Sequence, residues 1–73
     1  MTDDERIAWC RAQRDEARKA VQDIDQGGWR YFEGKGQTPM RDVTPAYRAQ
    51  QAAVAEQMEQ LAQAYERLRD RQL

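Results

Sequence analysis

Residues 27–45 read GGWRYFEGKGQTPMRDVTP, and this stretch decides how the chain folds. It holds all four glycines, both prolines and three of the six aromatic residues, between two long segments rich in Ala, Gln, Arg and Glu. Gly27 and Gly28 supply a helix stop, because glycine tolerates the left-handed backbone that helix C-termini adopt. Thr44 and Pro45 supply a helix start: threonine is a good N-cap, and proline at the first helical position loses no hydrogen bond. The stretch is therefore a connection between two helices.

Working outward on the N-terminal side, Thr2, Asp3, Asp4 and Glu5 form a capping box. The Thr2 hydroxyl can accept the Glu5 amide while the Glu5 carboxylate reaches back to the Thr2 amide. Asp3 and Asp4 place negative charge where the helix dipole favours it. Ile7, Cys10, Arg14, Ala17, Val21 and Ile24 then recur at alternating steps of three and four, one helical stripe that is apolar except at Arg14. Asp15 and Lys19 stand four apart in the favourable order. The spacing predicts a first helix over residues 3–26.

On the C-terminal side, Tyr47, Gln51, Val54, Met58, Leu61, Tyr65 and Leu68 recur at steps of four and three, within a run of alanines that raises helix propensity. This predicts a second helix over residues 45–70, fraying after Leu68 among Arg69, Asp70, Arg71 and Gln72. Two helices of similar length with heptad-like seams predict an antiparallel hairpin pairing positions whose numbers sum to about 71. Arg14 would then face Met58 and Gln51 would face Val21. Arg14 is read as lying along the seam with its charged head in water.

The connection, residues 27–44, is long for a simple loop. WRYF has strand-forming residues, GKG can make a tight turn, and Pro39 confines the return segment to an edge. The expectation is a short β-hairpin that leans on the helices, since such a hairpin is not stable alone. Alternation along a strand sets Trp29 and Tyr31 on one face and Arg30 and Phe32 on the other. The first face would cover the helix ends near Val21, Ile24 and Tyr47, with Trp29 read as core. The second, with Lys35 and Arg41, would look outward. Trp9 lies off the seam and either widens the buried face or marks a second anchor.

Composition narrows the function. Seventy-three residues make a single small domain, 1–73, of mainly α class. Chains this short draw little stability from one core without a staple. Cys10 is the only cysteine and histidine is absent, so neither an intramolecular disulfide nor a structural zinc site is expected. The acidic MTDDER start resembles no signal peptide, and no apolar run approaches the ~20 residues of a membrane span. A soluble, reducing compartment such as the bacterial cytoplasm fits.

Without histidine, and with its one cysteine in a helix seam, the chain offers no nucleophile–base pair, and GKG lacks the spacing of a phosphate-binding loop. No enzyme activity and no cofactor are expected. Trp, Tyr and Arg are the residues that most often dominate interface energies. Trp29, Arg30, Tyr31, Phe32, Lys35 and Arg41 are therefore the expected contacts for a protein partner. Basic residues among aromatics can also touch nucleic acid, and Arg67, Arg69 and Arg71 form a second basic cluster near the C-terminus. A net charge of −1 makes nucleic acid the secondary reading.

In its length, its MTDDERIAW start and its helix–aromatic connection–helix plan, the chain resembles the very small transcription regulators encoded by phages of the Xanthomonas type. The resemblance implies binding to the large catalytic subunits of bacterial host RNA polymerase, inhibition of initiation and readthrough of terminators, in the host cytoplasm. The alternatives are a self-associating helical hairpin with a structural or assembly role, or an inhibitor of another bacterial defence or toxin protein. A monomer or weak dimer is expected.

Overall fold

A computed structural model of the chain describes residues 2–71. The element order is α1 (Asp3–Gly27), β1 (Phe32–Glu33), β2 (Arg41–Asp42) and α2 (Thr44–Arg71). The two helices pack antiparallel and the strands form a small hairpin between them, as the sequence predicts. Gln72, where fraying was expected, lies outside the described residues.

The ends of α1 follow from local chemistry. The Glu5 amide donates to Thr2 Oγ1 at 3.2 Å, and the Glu5 carboxylate accepts the Thr2 hydroxyl where the sequence reading had it accepting the Thr2 amide. At the other end Gly28 takes φ 69°, a left-handed value open to glycine at little cost, and the Trp29 amide donates to the Asp23 carbonyl. Lys19 pairs with Asp23 at 3.1 Å rather than with Asp15, whose carboxylate is taken by Arg14.

The α1 stripe is the one the sequence shows: Ile7, Cys10 and Ala17 are buried. The α2 seam differs. Ala55 and Ala62 are its buried core residues, while Leu61 and Leu68 are exposed and Val54 and Met58 half-buried. The apolar stripe of α2 is thus turned roughly a quarter of a turn from the line of closest contact, with Tyr65 still packed against Ile7, Cys10 and Ala62. Size and charge explain the rotation. Cys10 and Ala17 are small, so small partners on α2 let the two backbones approach closely and shut out water.

Charge then fixes the register. Arg14 bonds to Glu59 and Asp15, not Met58, so its head is clamped by carboxylates and does not lie free in water. Arg11 bridges Glu59 and Glu66. Arg48 makes two bonds of 2.7 Å to Asp25, and Arg69 reaches Asp4 at 2.6 Å. Arg14 with Glu59, Arg48 with Asp25 and Arg69 with Asp4 are positions whose numbers sum to 73, and Ile7 packs near Tyr65 and Cys10 near Ala62, whose numbers sum to 72, close to the expected register of about 71.

Candidate partner-binding tip

The tip is built on two anchors. Tyr31 stacks on Tyr47 with ring centroids 4.1 Å apart and planes at 28°. Burial, then the neighbouring Tyr47, pushes the Tyr31 phenol above its usual range. The second anchor is Thr44, which the sequence marks as an N-cap. Its hydroxyl instead accepts the Tyr31 amide at 2.9 Å and donates to the Tyr31 carbonyl at 3.4 Å. The cap falls to Asp42, whose carboxylate accepts the Thr44 amide at 2.9 Å. Hydrogen bonding from Thr44, and secondarily the Arg30 charge, hold the Asp42 carboxyl below the usual range. Val43 completes the join by donating its amide to the Tyr31 carbonyl at 2.9 Å.

From these anchors the ribbon projects outward. Phe32 pairs with Asp42 and Glu33 with Arg41. A turn closes it: the Thr38 amide donates to the Lys35 carbonyl at 3.1 Å, and Gly36 at φ 58° supplies the left-handed residue such a turn needs. Residues opposite one another share a face, so Phe32, Asp42, Arg30 and Met40 lie on one side and Glu33 and Arg41 on the other. Met40 lies over Gly34, where a Cβ would come within 2.9 Å of its sulfur.

Of the six residues expected to contact a partner, Tyr31 is half-buried and serves as the anchor; the other five are exposed. Trp29 is not core. It is 60% exposed, as Phe32 is at 54% and Met40 at 68%. The left-handed step at Gly28 carries the chain past the helix end, so the Trp29 ring lies over Gly27, and Tyr31 takes the place over Tyr47. Met40 was missed by the sequence reading. The register that sets it opposite Gly34 comes from the pairing of Phe32 with Asp42, which the sequence does not show.

The cations of the tip are weakly held. Arg30 stands 3.9 Å from Asp42 and Arg41 stands 3.8 Å from Glu33, both exposed pairs of the kind that contribute little in water. Both arginines can therefore be redirected to a partner at small cost. Lys35, Arg41, Glu33, Gly34, Thr38 and Pro39 line an open groove of about 320 Å³. The C-terminal arginines do not join this site. Arg69 is tied to Asp4 at the opposite end of the hairpin, with Arg67 and Arg71 exposed nearby on α2.

Comparison with protein-family models, curated proteins and solved structures gives no match.

Proposed function

We propose that the chain is a non-enzymatic regulator that acts by docking its aromatic, cationic tip on a protein partner. The observation that carries this reading is the exposure of Trp29, Phe32 and Met40 on a ribbon anchored by Tyr31 and Thr44. Exposed aromatics are costly to keep in water, and Trp and Arg beside them are the usual anchors of interface energy. A preformed ribbon also loses little entropy on binding. The resemblance to small phage regulators points to the large subunits of bacterial RNA polymerase as the partner, in the host cytoplasm. On that reading the protein works sterically, inhibiting initiation and favouring readthrough of terminators. Arg67, Arg69 and Arg71 are at the wrong end of the hairpin to share the tip's contact, so any nucleic acid they meet is a separate one.

The test is capture of purified polymerase by wild type and by Arg30→Glu/Phe32→Ala. Both substituted side chains are exposed, so the variant should keep its helical spectrum. Its affinity is expected to fall more than about tenfold, the effect of losing one hot spot. Undiminished capture by the folded variant would remove the tip from the interface.

A further inference from the structure

The ribbon at the tip has two strands, so the backbone of each is paired on one side only. The Val43 amide bonds to the Tyr31 carbonyl, and in an antiparallel ladder bonded pairs alternate with unbonded ones. Glu33 and Arg41 therefore exchange the next pair of bonds, while Phe32 and Asp42 turn their N–H and C=O groups outward. On the other side of Tyr31, whose amide points in to the Thr44 hydroxyl, Arg30 turns outward by the same alternation. Among the described residues, neither the Arg30 nor the Gly34 backbone has a hydrogen-bond partner. The outer side of β1, extended from Arg30 to Gly34, is thus a short open strand edge. That of β2 is more confined: the Thr38 amide is used in the turn, and α2 begins at Thr44, just past Asp42.

We infer that the partner docks by adding a strand to this edge. The added strand is an extended protein segment that sets an apolar side chain against Phe32 and, two positions away, a carboxylate against Arg30. The inference rests on the reading of the tip as the docking surface and specifies what the tip takes.

The backbone chooses the class of occupant. A row of outward N–H and C=O groups at strand spacing matches another extended polypeptide, which is why open edges recruit strands. A nucleic acid offers phosphates but no such row, and Glu33 and Asp42 stand beside the edge against it.

Side chains choose the sequence. Native edges are commonly shielded by charge or proline, yet this one carries exposed Phe32 at its middle. Side chains directly opposite across a ladder touch, so the ring favours an apolar neighbour on the incoming strand. Arg30 lies on the same face, its side chain 62% exposed and its 3.9 Å contact with Asp42 loose. The Asp42 carboxylate already accepts the Thr44 amide, so Arg30 can turn to a new carboxylate. On the other face Glu33 has Arg41 beside it, and that face asks for no particular charge.

Selection of a random heptapeptide library on the full chain tests the inference. Selected peptides should carry an apolar residue with Asp or Glu two positions from it. Selection on Arg30→Glu should return Lys or Arg at that second position. A full-length synthetic chain N-methylated at the Phe32 amide should bind the selected peptides at least about tenfold more weakly. Its helical spectrum should be unchanged, because that amide makes no bond inside the ribbon. Peptide binding weakened by Phe32→Ala but not by N-methylation overturns strand addition and leaves the tip as the docking surface. Binding that also survives Arg30→Glu/Phe32→Ala overturns both readings. A library that yields no binder, or binders without the acidic position, overturns the inference, and capture of polymerase still judges the tip. Should the methylated chain lose its helices, the charge swap at Arg30 decides.

Discussion

At the scale of single residues, Thr44 settles where the tip points. It is buried, its hydroxyl spans both polar groups of the Tyr31 backbone, and its own amide is held by Asp42. Thr44→Val keeps the shape but strands the Tyr31 amide beside a methyl group. Leaving a buried donor unpaired costs about 1–3 kcal/mol. Urea unfolding should show a loss in that range, with Thr44→Ser losing less because the hydroxyl remains. A Thr44→Val chain as stable as wild type would mean that the Tyr31 stack alone holds the ribbon. Thr44 was conspicuous in the sequence because Pro45 follows it, yet its role was not. A threonine before a proline signals a helix start, but nothing local reveals an acceptor or donor 13 positions upstream. Trp29 was misread for a related reason. Proximity to the helix stop suggested burial, whereas the left-handed turn at Gly28 sends the next side chain outward.

At the scale of elements, the two helices, the hairpin between them and the seam of α1 were legible because each rests on local signals: caps, glycines and spacing. The seam of α2 was not. Val54, Met58, Leu61 and Leu68 make the louder periodic pattern, but the helix that packs on Cys10 and Ala17 needs small residues, and Ala55 and Ala62 are hidden among many other alanines. Arg14 held the missing clue. A guanidinium inside an apolar stripe calls for a carboxylate opposite, and Glu59, one position beyond Met58, provides it. The close approach gives a direct check. Ala62 is fully buried between the helices, so Ala62→Leu must either strain the seam or push α2 away. Overpacking of this kind costs about 1–3 kcal/mol, readable as a lowered denaturation midpoint. A neutral outcome would mean that the helices stand farther apart than the small residues imply.

For the whole molecule, the helices are also tied along their length by charge. Asp4 with Arg69, Glu59 with Arg11 and Arg14, and Asp25 with Arg48 form a row of ties from one end to the other. Hydrogen bonds from Arg11, Arg14 and then Gln63 hold the Glu59 carboxyl down at about 2, from an ordinary 4.5. Arg48 lowers Asp25 in the same way. A carboxyl depressed in the folded state contributes stability that is complete above its unfolded value and lost as pH falls through its folded one. The Glu59 contribution should therefore be whole at neutral pH, start to fade below 4.5 and be gone near 2. Arginine does not titrate in this range, so the loss belongs to the carboxyls. Thermal melts followed by circular dichroism at one protein concentration, from neutral pH down to about pH 2, should show a level midpoint that then drops. Glu59→Gln should melt lower than wild type at neutral pH and lose less on acidification, because one of the titrating ties is already absent. The two curves should converge at the acid end. If Glu59→Gln instead runs parallel to wild type across the whole range, the central tie contributes nothing, and the small alanine-lined seam must hold the helices by itself.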